Sequence, residues 1–333
     1  MHNSKKIIMA VVFCVLVILL NSLFNYIFIP PYYAQNVIRD LNKQKDIELL
    51  IIGDSLSRSA YDTKTISSSL NINAFNLNQT GCNLETELLL LEYTLEKHKV
   101  QTVILNWDTD TVLQENNLVQ SYYTELLRVL DGLKYKIRIF PKTFELPWTN
   151  AFIYWSNMFS HEFLEIIKVK QSDLYKKGDV VIFHPETAPR VYLGQGAFAY
   201  RILKQRTADF KFSDENRDDI FLYFMDEKNK EIVNEIKDLC NKTNTNLIFM
   251  MQSLPLSIRD NSLTLKKYSE DMKNFFCSMG IKFVDANFIE EFNNSRDDYL
   301  FRDAGGHYYI NGTKSYTEDF CNWYKKQPDF NKK

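Results

Sequence analysis

Two short polar segments, far apart in the chain, carry residue types that together could perform nucleophilic acyl chemistry. Gly53-Asp54-Ser55 stops an apolar run at 48–52, and Asp303-Ala304-Gly305-Gly306-His307 lies near the carboxyl end, with Gly312 five residues after the histidine. A serine hydroxyl is a weak nucleophile until a neighbouring imidazole takes its proton. A carboxylate then fixes the imidazole's tautomer and supports its charge. Histidine suits such a role because its ring titrates near neutral pH. Each segment also has a plainer explanation, since Asp54 or Ser55 can cap a helix and His307 alone can be a hydrogen-bonded surface histidine. The chemistry therefore requires a fold that brings the two segments together.

Apolar periodicity supplies such a fold. The run 48–52 reads as a buried parallel strand, with a second strand over 72–77 that ends near Gly81 and a third at Val103-Ile104-Leu105 that ends in Asn106-Trp107-Asp108. A helix is expected over 62–70, and an amphipathic one over 84–99, where Leu88, Leu91 and Leu95 share a face. After a long interval come a helix over 226–242, a strand over 246–251, a helix over 263–278, a strand over 281–284 and a last helix over 311–325. Strands alternating with helices of this length imply an α/β fold with a parallel sheet and right-handed crossovers. In an open parallel sheet the ligand crevice lies beyond the carboxyl ends of the strands. The polar breaks fall at those ends: Gly53-Asp54-Ser55, Asn78-Gln79-Thr80-Gly81, Asn106-Trp107-Asp108 and Gln252-Ser253.

The amino-terminal 30 residues have a separate role. Ile7 to Leu20 is unbroken apolar sequence, and the run continues to Pro30-Pro31, long enough to span a bilayer. A signal peptide is the alternative, but no small-x-small cleavage site follows Leu20. An uncleaved single-pass anchor is expected. Lys5 and Lys6 abut the span, which favours a cell-membrane protein whose catalytic domain is extracytoplasmic. Residues 31–47 read as a polar, amphipathic stalk, and 48–333 as the α/β domain. Residues 112–222 form an aromatic-rich, mainly helical insertion within it, a cap with its own small core. His161 and His184 fall in that cap and His98 closes a helix end, so none is assigned chemistry.

Composition narrows the remaining classes. With 333 residues, 45% hydrophobic and 25% charged, the chain is ordinary globular protein, which excludes a disordered or collagenous one. A net charge of -2 gives no electrostatic reason to bind nucleic acid. The five cysteines, Cys14, Cys82, Cys240, Cys277 and Cys321, contain no C-x-x-C, which argues against a zinc site and leaves disulfides open. There is no phosphate loop, and neither a cofactor nor a metal is expected.

The polar segments resemble the four blocks of the SGNH, or GDSL-type, hydrolase superfamily. Gly53-Asp54-Ser55 matches the first block, Gly81 the second, Asn106 the third, and Asp303 with His307 the fourth, where the family writes two residues between Asp and His and this chain has three. The third block also departs, with Asn106-Trp107-Asp108 in place of Gly-x-Asn-Asp. The resemblance implies a flavodoxin-like sheet flanked by helices. It makes Ser55 the nucleophile, His307 the base, Asp303 its orienting acid, and Gly81 and Asn106 the oxyanion donors. With the anchor, it is similar to membrane-anchored proteins of cell-surface polysaccharide O-acylation. The implied function is a serine esterase or O-acyltransferase acting on acyl esters of such a polymer, with a membrane-bound O-acyltransferase as a further partner. The departures keep an alternative open, a catalytically inactive scaffold that binds polysaccharide for that acyltransferase. An enzyme acting on the adjacent bilayer is a third reading.

Overall fold

The computed structural model describes residues 2–107, 120–144, 162–184, 190–202, 206–212 and 227–327. In chain order the first elements are α1 (His2–Phe28), α2 (Tyr33–Leu41), β1 (Ile47–Ile52), α3 (Ser55–Ala60), α4 (Thr63–Leu70), β2 (Ala74–Asn76), α5 (Leu84–Lys97) and β3 (Val100–Asn106). Next come α6 (Gln120–Val129), α7 (Leu133–Ile139), α8 (Phe163–Gln171), α9 (Asp173–Lys176), and the strands β4 (Arg190–Gly194) and β5 (Ala197–Tyr200). The chain closes with α10 (Glu227–Lys242), β6 (Asn246–Met251), α11 (Leu256–Asn261), α12 (Leu265–Ser278), β7 (Lys282–Asp285) and α13 (Ile310–Lys325). Two compact units result: residues 1–39 with 123–188, and residues 40–122 with 189–333.

The second unit is built on a sheet of order β2-β1-β3-β6-β7 in which every pairing is parallel. The alternation of apolar runs and amphipathic helices implied a parallel sheet, and this strand order is the flavodoxin-like one that the family resemblance implied. Leu49, Leu50, Ile51 and Ile52 have no exposed surface, so β1 is covered on both faces. Full burial of each such side chain contributes roughly 1.5–3 kcal/mol. On one face Leu49, Ile51 and Ile104 join Tyr61, Tyr316, Phe320 and Trp323 in a common core. Tyr61 meets Tyr316 and Phe320 edge-on at 5.2 and 5.3 Å, which packs α13 against the segment that follows Ser55.

Local capping sets the helix starts. Asp62 accepts from the Thr65 amide at the start of α4, and Asn83 from the Thr86 amide at the start of α5. The expected helix over 263–278 is α12, whose Leu265 amide donates to Ser262 Oγ, and a short helix that the sequence reading did not include, α11, precedes it. The insertion differs from the expectation as well. Its segment Arg190–Tyr200 is an antiparallel hairpin that belongs to the sheet-bearing unit, and the Gln195 carbonyl at its turn accepts from the Asn76 amide of β2 at 2.9 Å.

In the first unit, one helix, Ser4–Phe28, is long and apolar enough to cross a membrane. Ile7 is 64% exposed and Phe13 66% exposed, a distribution that suits lipid better than water. The stalk residues are more ordered than a linker, because Ala34, Val37 and Ile38 of α2 are buried and Asn36 exchanges hydrogen bonds with the Val181 backbone at 2.9 and 3.0 Å.

Candidate active site

Gly53 follows β1 at a point where nothing larger fits. A Cβ there would stand 2.5 Å from Ser57 Oγ and 2.7 Å from Asn106 Cβ, so the glycine allows the ends of β1 and β3 to sit side by side. Asp54 then caps α3, its side chain accepting from the Leu56 amide at 2.7 Å. The capping function of this tripeptide thus falls on Asp54, and Ser55 is left at the first helical position with its hydroxyl available.

The other half of the site arrives just before α13. Asp303 and His307 are separated by one residue more than the family pattern, and the loop absorbs it at Gly306, whose φ of +105° is readily adopted only by glycine. Hydrogen bonds to its surroundings help to fix this loop: the Arg302 amide donates to the His307 carbonyl at 2.7 Å, Gln252 Nε2 to the Gly306 carbonyl at 2.9 Å, and the Tyr308 amide to Ser59 Oγ at 3.1 Å. The last of these ties the histidine loop to α3 itself. Thr313 Oγ1 adds a second tie, donating to the Ser59 carbonyl at 2.6 Å.

The consequence is a continuous chain of three side chains. Ser55 Oγ lies 2.9 Å from His307 Nε2, and His307 Nδ1 lies 3.0 and 3.1 Å from the two oxygens of Asp303. Because a carboxylate only accepts, Nδ1 carries the proton and Nε2 accepts from the serine hydroxyl. Burial tends to raise the Asp303 carboxyl, but the hydrogen bonds and charge of His307, together with the charge of Arg302, outweigh it and hold the group below its ordinary range. Asp303 is therefore ionised wherever an imidazole could act as base.

The remaining sequence candidates lie on the same rim. Gly81 (φ +66°) closes a turn that is bound to the first loop, since the Gln79 amide donates to the Gly53 carbonyl at 3.0 Å and Arg58 Nη1 donates to Thr80 Oγ1. Asn106, at the end of β3, is 1% exposed, and neither its Oδ1 nor its Nδ2 has a hydrogen-bond partner. Leaving a buried amide unpaired costs about 1–3 kcal/mol, an expense that a purely structural residue would not carry. Asn106→Ala is accordingly expected to leave the thermal midpoint unchanged or raise it, while lowering kcat for an activated ester by roughly 10²-fold or more. A destabilised variant of unchanged kcat would show that the amide serves the fold alone. Asp108 lies outside the described residues.

Sequence reasoning missed Tyr200 and Arg58. The ring of Tyr200 stands edge-on to the His307 ring at 5.6 Å, and its hydroxyl accepts from Arg58 Nη2 and from Arg190 Nη2, both at 3.3 Å. Burial opposes ionisation of this phenol, yet the charges and hydrogen bonds of the two guanidinium groups prevail and lower it. Arg302 lies over the other side of the ring at 4.5 Å. A signal for Tyr200 was present, because aromatic and β-branched residues on both sides of Gly194-Gln195-Gly196 mark a hairpin. Arg58 gave none, since nothing in its neighbours foretells a guanidinium that is 1% exposed.

The histidines set aside earlier take structural places. His98 caps α5 through its backbone amide, and His184 lies 3.2 Å from Glu162 on the exposed surface of the first unit. His161 lies outside the described residues. All five cysteines are free thiols.

No family model matches this sequence, and no curated protein matches it. Solved structures do resemble it. One is a protein assigned to the lipolytic G-D-S-L family from Desulfitobacterium hafniense (8% identity, TM-score 0.39, covering 83% of this chain and 99% of that one). Another is a lipolytic G-D-S-L family member from Veillonella parvula (10% identity, TM-score 0.38, covering 84% and 100%). A third is a protein assigned as an acylhydrolase from Bacteroides fragilis (10% identity, TM-score 0.40, covering 89% and 98%). Scores and identities this low add no weight of their own, and the chemistry rests on the geometry of Ser55, His307 and Asp303.

Proposed function

We propose that this chain is a serine-dependent acyl-ester hydrolase or O-acyltransferase. The observation that carries the reading is the 2.9 Å approach of Ser55 Oγ to His307 Nε2, with Nδ1 of the same ring held by Asp303. In the first half-reaction His307 accepts the Ser55 proton as the serine oxygen bonds to the ester carbonyl carbon, and the carbonyl oxygen becomes an oxyanion. The amide of Gly81 and the side chain of Asn106 are the donors assigned to that oxyanion. Collapse breaks the ester bond, and the departing alkoxide takes the proton from Nε2, leaving acyl-Ser55. In the second half-reaction His307 deprotonates water or an acceptor hydroxyl, whose attack releases the acyl group and returns the proton to Ser55. Water gives hydrolysis, and a sugar hydroxyl gives transfer.

The finer reading places the enzyme on the outer face of the cell membrane, acting on an acylated surface polysaccharide. Three features support it: an exposed apolar helix at the amino terminus, Lys5 and Lys6 on its short side, and aromatic and cationic groups around His307. Arg302, exposed beside Tyr200, favours a polymer that bears negative charge. Incubating the purified full chain with an activated acetyl ester and an oligosaccharide should give release or transfer of acetate that stops after fluorophosphonate labelling of Ser55. A chain that neither labels nor turns over, yet still binds the oligosaccharide, would instead be a scaffold for a membrane acyltransferase.

A further inference from the structure

Gly81 bears no side chain, so the place of the amide assigned to the oxyanion is set by its neighbours. The Cys82 amide closes the turn by donating to the Gln79 carbonyl at 3.3 Å, and Gly81 sits in it at φ +66°. Main chain and side chain both tie this turn to the segment that carries the nucleophile. The main-chain tie is the bond from the Gln79 amide to the Gly53 carbonyl at 3.0 Å. The side-chain tie comes from Arg58, about one turn of α3 beyond Ser55, whose Nη1 donates to Thr80 Oγ1 next to Gly81. Nη2 of the same guanidinium donates to the Tyr200 hydroxyl at 3.3 Å, and the Tyr200 ring stands edge-on to that of His307 at 5.6 Å.

A guanidinium is a costly choice for a position that is 1% exposed, because a charge must leave water and an apolar side chain of similar volume would pack α3 as well. Its advantage is geometric. The planar fork holds its donors at a fixed separation, so it sets the distance between two hydroxyls in a way that a flexible ammonium does not. Here those hydroxyls belong to the oxyanion turn and to the ring beside the base. Small displacements matter at such a site, since a donor misplaced by about 1 Å loses most of its hold on the transition state. We propose that Arg58 is a positioning residue for the acyl chemistry, holding the Gly81 amide against the nucleophile's helix through Thr80 Oγ1, with Tyr200 as its other anchor. The inference rests on the reading of Ser55 as nucleophile, and adds to it two residues, Arg58 and Thr80, that act through Gly81.

The test measures turnover of an activated acetyl ester by the full chain, with circular dichroism melting of each variant. Thr80→Val removes the acceptor and keeps the branched shape, and should lower kcat about tenfold or more with KM unchanged. Thr80→Ser restores the hydroxyl and should return kcat to within about twofold of native. Arg58→Met should lose at least as much as Thr80→Val. Because both changes break the same hydrogen bond, the double variant should fall no more than about twofold below Arg58→Met alone. Thr80 is only half-buried and decides the matter if Arg58→Met does not fold, and Arg58→Met decides it in the converse case. A folded Thr80→Val with native kcat and a lowered melting point would make the bond purely structural and overturn the proposal. A loss that Thr80→Ser does not recover, or losses that multiply in the double variant, would overturn it too, while leaving Ser55 as nucleophile. Turnover that survives Ser55→Ala would instead overturn the reading of the site, and this inference with it.

Discussion

Ser55→Ala is expected to lower kcat for an activated acyl ester by roughly 10⁴- to 10⁶-fold, leaving only what the oxyanion donors and substrate binding supply. The hydroxyl's hydrogen-bond partner is His307, whereas α3 is capped by Asp54 through the Leu56 amide. Removing one oxygen from a half-buried position whose neighbour performs the capping changes stability by no more than about 0.5 kcal/mol. The variant should therefore melt with the native protein and fail to label with a fluorophosphonate. Turnover within tenfold of native, measured on the same preparation, would dismiss Ser55 as nucleophile. So would an equal loss in Ser57→Ala, because Ser57 Oγ donates to the Asp54 carbonyl and serves the turn.

Asp303→Asn should cost about 10²- to 10⁴-fold in kcat with little change in KM. Both Asp303 oxygens face Nδ1 and fix the tautomer in which Nε2 is free to accept. A carboxamide can offer its NH₂ to that nitrogen instead, which moves the ring proton to Nε2 and blocks transfer from Ser55. The range extends to its lower end because the Asp303 side chain is 40% exposed, so water can take over part of its work. The sign of the pH effect follows from the direction of its shift. A carboxyl held below its ordinary value contributes stability that is complete above the unfolded value near 3.9 and is lost as pH falls through the lower folded value. Across neutral pH the native enzyme should thus show no inflection from Asp303. A native profile with an acid limb that disappears in Asp303→Asn would contradict this.

Much of the fold is legible before any coordinates. The apolar runs that become β1, β3 and β6, the cap at Asp54, and the apolar helix at the amino terminus all follow from side-chain chemistry over a few residues. The glycines of the two site segments were equally visible. Their reasons were not: Gly53 is required by the closeness of Asn106, and Gly306 by the extra residue between Asp303 and His307. Where short-range signals competed, the reading lost detail. The hairpin at 190–200 passed for part of a helical cap, and the short helix α11 went unread.

The sequence by itself determined which segments are strands, which helices, and which polar breaks fall at strand ends, because hydrophobic periodicity and capping act within a turn or two of the chain. Only the tertiary structure decided that Ser55 and His307, 252 positions apart, share a hydrogen bond. It likewise decided that Tyr200 and Arg58 stand beside them and that the Asn106 amide is buried with no partner. Such contacts depend on how helices cross between strands and how far each loop reaches. Those are properties of packing over the whole core, and no local spacing of residues records them.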